Sequence, residues 1–218
     1  LAALHRTIQV PRTAHLYQAG LLSTDTKHLW IVLHGYGQLA RYFVRHFEGM
    51  ADEQTAILAP EGLSRFYLEG FSGRVGATWM TKEERLHEIS DYISYLNLVR
   101  ETALQEAPNA TLHVLGFSQG GATACRWLVQ AQWPIAQLVL WAGVFPDDME
   151  LASMGQALAH ARLTYVYGLQ DSFVAEDKVQ TQLARVQVAG LHPEIITFEG
   201  KHELNKEVLF RLKQRSLS

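Results

Sequence analysis

Along this chain, short apolar runs alternate with longer stretches in which apolar residues recur every three or four positions. Leu29–Leu33, Thr55–Ala59, Thr111–Leu115, Leu138–Ala142, Leu163–Tyr167 and Glu194–Phe198 read as strands. Most are apolar on consecutive residues, as strands buried on both faces must be. Between them the spacing predicts helices over about 39–51, 81–108, 119–131, 147–160, 176–189 and 203–213, the longest with Leu86, Ile89, Ile93, Leu96 and Ala103 on one face and a capping box of Thr81 and Glu84. Residues 4–19 alternate around Pro11 like an edge hairpin, whereas 63–80 has no clean period and reads as a long ordered loop. Parallel strands need crossovers of helix length, so the pattern predicts an α/β chain: a mostly parallel central sheet with helices on both faces.

Composition narrows the classes. The chain has 218 residues, 48% of them hydrophobic, which suits one domain over 1–218 with a full core. Nineteen basic and 22 acidic residues, mixed along the chain for a formal charge of −3, offer no basic face for nucleic acid. No apolar run reaches the length of a membrane span. Cys125 is the single cysteine, so no internal disulfide or cysteine-rich metal site is expected, and a cytoplasmic setting is, with a removed leader left open.

The chemistry gathers where strands end. Gly116-Phe117-Ser118-Gln119-Gly120 is a GxSxG pattern between a strand and a helix, the context in which a serine is held on a sharp turn as a nucleophile. Side chains at Gly116 or Gly120 would collide with the neighbouring strand and helix. A serine hydroxyl needs a base, and the base an orienting acid. Asp171 follows the LTYVY strand and His202 follows the ITF strand, in the order serine, acid, base. His34 is the alternative base, more plausibly a residue that shapes the adjoining loop. Asp147 and Asp148 are alternative acids, with neighbours that suggest helix capping. Backbone amides of Gln119 and of Tyr36, in His34-Gly35-Tyr36-Gly37, are the expected donors to an oxyanion.

HGYG, GFSQGG, YGLQD and GKH, in this order, resemble the phospholipase/carboxylesterase branch of the α/β-hydrolases, which includes the acyl-protein thioesterases. The resemblance runs from about Leu29 to Phe210 and is most specific in GFSQGG. It implies an α/β-hydrolase fold, Ser118, Asp171 and His202 as triad, the Tyr36 and Gln119 amides as oxyanion hole, and a substrate-covering loop within about 63–80. Phe71, Trp79 and Met80 are then candidates for an acyl pocket or for simple loop packing. Tyr36, Tyr167 and Lys201 depart from the usual residues and change the wall of the site. The expected activity is cleavage of a small-molecule ester or thioester through an acyl-enzyme, without metal or organic cofactor, by a monomer or homodimer. A non-catalytic binding protein that keeps the fold is the alternative.

Overall fold

A computed structural model describes residues 3–143, 145–174 and 176–217. Seven strands form the main sheet: β1 (Leu16–Ala19), β2 (His28–Leu33), β3 (Thr55–Pro60), β6 (Thr111–Phe117), β7 (Gln137–Trp141), β8 (Arg162–Gly168) and β9 (Glu194–Phe198). Their order is β1-β3-β2-β6-β7-β8-β9. Only β1 is antiparallel to its neighbour, and the other pairs are parallel. A separate antiparallel hairpin, β4 (Ser64–Glu69) and β5 (Ser72–Thr78), stands apart from this sheet.

Alternation along the strands divides the core in two. Leu29, Ile31 and Leu33 pack on the side covered by α2 (Arg85–Glu106), α3 (Gln119–Ala131) and α5 (Glu176–Val188). Trp30 and Val32 pack on the other side, against Phe43 of α1 (Ala40–Phe43), Phe47 of the 3₁₀ segment Val44–Met50, and Leu209 and Leu212 of α6 (Lys206–Ser216). Burying both faces is what demands apolar residues at consecutive positions. A short α4 (Leu151–Ala157) lies between β7 and β8. Among the described residues no helix is long and apolar enough to cross a membrane.

The central strands and α3 fall where the pattern predicts them; the helix expected over 39–51 is α1 continued as the 3₁₀ segment Val44–Met50, and four other elements differ. Residues 3–15 form no strand, and β1 pairs with β3 instead of folding back on its own flank. The 63–80 stretch is a hairpin turning at Gly70, whose φ of +66° a side chain would resist. Its alternation is weak in sequence because most of β4 is exposed. The helix expected over 147–160 shrinks to α4, because Asp147 and Asp148 are drawn into ion pairs with Arg185 and with Arg85 and Arg126 rather than capping it. The Thr81–Glu84 capping box is also absent: Glu84 takes φ +45°, and the Thr81 N–H instead donates to Glu88 Oε2 at 2.6 Å. The helix therefore starts at Arg85, and Leu86 is exposed.

Candidate active site

Strand β6 occupies the centre of the sheet, and its end is forced into a turn. Ser118 has φ +52° and ψ −116°, a conformation that costs an L-residue of the order of 1–3 kcal/mol. It is held there by two backbone bonds, Ser118 N–H to the Trp141 carbonyl at 2.8 Å and Gly121 N–H to the Ser118 carbonyl at 3.0 Å. The glycines allow the close approach. A Cβ at Gly116 would lie 2.4 Å from the Gly120 carbonyl oxygen, and one at Gly120 would lie 2.2 Å from that of Leu33. α3 thus starts directly behind the serine and leaves its side chain partly exposed.

The loops after β8 and β9 bring Asp171 and His202 together. Their backbones are zipped by Leu169 N–H to Phe198 O and Gln170 N–H to Gly200 O, both 2.9 Å. Gly168 makes this possible, since a Cβ there would stand 2.4 Å from the Gly200 oxygen. Asp171 Oδ2 lies 2.7 Å from His202 Nδ1, and Oδ1 accepts the Phe173 N–H at 2.8 Å. The aspartate side chain is wholly buried and the imidazole is 24% exposed. A carboxylate can only accept, so Nδ1 carries the proton and Nε2 keeps a free lone pair. The ring sits between Phe117 and Phe173, each 4.9 Å away by centroid, which puts it beside the residue that precedes Ser118. The Ser118 hydroxyl and His202 are not hydrogen bonded among the described residues; such contacts often tighten only when substrate arrives.

The rival groups are engaged elsewhere. His34 is fully buried; its Nε2 accepts the Gly62 N–H at 2.9 Å and its Nδ1 donates to the Gly35 carbonyl at 2.8 Å. Burial holds its pKa below the ordinary histidine value, although the Gly35 bond and Glu61 act the other way. It is a neutral loop-shaping residue. Asp147 and Asp148 are the ion-paired residues described above.

In the loop after β2, Gly35 N–H is taken by Gln38 Oε1, Gly37 N–H by Ala77 O and Gln38 N–H by Gly35 O. The Tyr36 amide alone in this run has no protein acceptor among the described residues. At the elbow the same holds for Gln119 N–H, the first residue of α3, where the helix end favours negative charge. Two backbone donors are therefore left without a protein acceptor, one in the loop after β2 and one at the start of α3 directly after the serine.

Phe71 and Trp79 do not form a pocket together. Phe71 is 98% exposed at the hairpin tip. Trp79 is a core residue, 1% exposed, with its indole N–H on the His34 carbonyl at 2.8 Å. Met80 is half-buried, with Sδ 3.7 Å from an Arg126 nitrogen. Sequence reasoning missed two contacts at the site. One is Phe173 against His202. The other is the Gln119 side chain, bonded to Thr78, Trp79 and Met80. Only the Gln-Gly-Gly run after the serine hinted at the latter. Among the described residues no group of three or more His, Cys, Asp or Glu could hold a metal ion.

Comparison with known proteins bears on the family and the fold. A family model described as Serine hydrolase (FSH1) matches residues 23–207. The acyl-protein thioesterase 2 of Zea mays superposes with a TM-score of 0.73 at 16% identity, over 94% of this chain and 98% of that one. Esterase PE8 gives 0.70 at 16%, over 94% and 99%. The Bacillus cereus carboxylesterase gives 0.66 at 14%, over 93% and 92%. At such identities the likeness establishes the fold, that of the α/β-hydrolases expected from the motifs. No curated protein sequence matches the chain.

Proposed function

Because the chain belongs to the serine hydrolase (FSH1) family, we propose that it cleaves small-molecule carboxylic esters, thioesters included, through an acyl-enzyme on Ser118. His202 Nε2 takes the hydroxyl proton as Ser118 Oγ attacks the carbonyl carbon. The imidazolium that forms is stabilised by buried Asp171, and it returns the proton to the leaving alcohol or thiol. The Tyr36 and Gln119 amides receive the oxyanion of each tetrahedral intermediate. Water, deprotonated by His202, then releases the acid and restores Ser118. Apart from that water and the substrate, these steps use groups the chain itself supplies.

The observation that carries this reading is the 2.7 Å Asp171–His202 bond set beside a strained serine. Thioesters enter because one structural neighbour is an acyl-protein thioesterase. The β4–β5 hairpin takes the part of the covering segment within a single working domain. In its favour, the Tyr36 ring lies 5.1 Å from Phe66, and Leu68 stands against Gly37. Met80 is retained as a wall of the acyl site. A cytoplasmic setting fits Cys125, a buried free thiol whose pKa burial pushes up to about 12. No observation favours a purely binding role.

The test is covalent labelling with a fluorophosphonate, followed by p-nitrophenyl ester hydrolysis across acyl lengths. Labelling at Ser118, and loss of turnover in Ser118→Ala, are expected. Full esterase activity in Ser118→Ala would sink the assignment.

A further inference from the structure

We infer that the side chain of Gln119 is a positioning residue: it clamps the strand end 77–80 to the elbow and so sets the distance between the two oxyanion amides. This rests on the hydrolase reading of Ser118 above.

The geometry is that of an amide matched to a stretch of backbone. Gln119 Oε1 accepts the Trp79 N–H at 3.2 Å, and Gln119 Nε2 donates to the Met80 carbonyl at 3.0 Å. Nε2 also donates to Thr78 Oγ1 at 2.9 Å. The Thr78 hydroxyl is within 2.9 Å of the Met80 carbonyl and 3.1 Å of Gln119 Oε1, so its one proton serves either acceptor. These partners lie about forty positions from Gln119 in the chain, and a side chain of this length with one acceptor and one donor end is needed to meet them.

The same strand end grips the other half of the oxyanion hole. Ala77 exchanges both backbone bonds with the HGYG loop, accepting from Gly37 N–H at 2.9 Å and donating to Gln38 O at 3.1 Å. Trp79 reaches the His34 carbonyl through its indole N–H. At Gly76 the two backbones are so close that a Cβ would stand 2.5 Å from the Gly37 oxygen. Residues 76–79 therefore fix the loop that presents the Tyr36 amide, and 78–80 fix the residue that presents the second amide. The backbone N–H and the clamping side chain belong to one residue, so slack in the side chain is transmitted directly to the donor. Preorganisation of such donors is what makes them effective, and a misplacement of the order of 1 Å is enough to cost about 10²-fold.

The experiment compares Gln119→Met, which keeps length and volume but neither end's bond, with Thr78→Val and the double variant. Wild type is first labelled with the fluorophosphonate. Then kcat and KM for a p-nitrophenyl ester, affinity for an alkyl boronic acid that forms a tetrahedral adduct on Ser118, and Tm are measured for each. Gln119→Met should lower kcat about 10- to 100-fold with KM held within about threefold, and boronate affinity should fall in parallel with kcat/KM. Thr78→Val should lose less, and the double variant no more than Gln119→Met alone, since both cut one clamp. A Gln119→Met protein that melts like wild type and keeps kcat within about twofold overturns the proposal, as does a loss shared equally by kcat and KM. If Gln119→Met does not fold, Thr78→Val decides by the same criteria. Failure of the wild type to label would sink the hydrolase reading itself, whereas labelled wild type with an unaffected Gln119→Met sinks only the clamp.

Discussion

Adjacent glycines at the elbow allow a direct steric test. A Cβ on Gly120 would stand 2.2 Å from the Leu33 oxygen, 2.7 Å from its carbon and 2.8 Å from the His34 oxygen. All three are backbone atoms at the end of β2 and the residue after it, and cannot rotate away. Restoring an ordinary C···O contact of about 3.3 Å means moving the start of α3 and the end of β2 apart by about 1 Å. Gln119 immediately precedes the new methyl group and Tyr36 lies two residues beyond His34, so this displacement opens the pair of amides. Gly120→Ala should therefore lose about 10²-fold in kcat, about 2.7 kcal/mol of barrier, and about 1–3 kcal/mol of stability from overpacking. Gly121→Ala is the control. Its Cβ would meet neighbours at 3.5, 3.5 and 3.6 Å, ordinary contact distances. That variant should keep kcat and gain up to about 1 kcal/mol of helix propensity. Ester turnover and thermal melting of both variants are the assay. If Gly120→Ala kept its kcat and melting temperature while Gly121→Ala lost them, the steric argument for the elbow would be refuted.

Two further expectations concern groups away from the turn. Asp171→Asn should leave the fold intact but reduce kcat by about 10⁴, because an amide no longer enforces the Nδ1–H tautomer of His202; steady-state kinetics with matched melting curves check it. His113, stacked on Trp30 and 3.2 Å from His28, has its pKa lowered to about 3 by burial first and by His28 and Arg162 next. The unfolded chain takes up this proton near pH 6.5, so wild-type stability should fall as pH drops from about 6.5 towards 3. His113→Phe should flatten that fall in Tm measured against pH, and a curve parallel to wild type would count against it.

Much of the sheet was legible because central parallel strands leave a local mark: β2, β3, β7, β8 and β9 lie within a residue of the apolar runs that announce them, and β6 runs two residues past its own. The peripheral elements leave no such mark. β4 is mostly exposed, residues 3–15 form no strand, and Asp148 satisfies arginines from two helices rather than its own helix end. At the site, Ser118, Asp171 and His202 are legible as residues at strand ends, where a parallel sheet collects its chemistry, and the structure bonds the last two to each other. The burial of Trp79 and the reach of Gln119 could not. Each depends on bonds spanning about forty positions, and distance in the chain erases periodicity.

The strand order also bears on how the molecule assembles. From β6 to β9 the strands are added outward in chain order, so Ser118, Asp171 and His202 come together through short, successive closures. β2 instead docks beside β6 from far upstream, as His28 and His113, 85 positions apart, record. That is the longest closure in the sheet, and loop entropy makes it the costliest to form. The loop that carries Tyr36 comes beside the elbow that carries Gln119 only when it is made. Recovery of esterase turnover during refolding therefore reports the joining of the two halves of the sheet, and it should lag the return of helical signal from the C-terminal half.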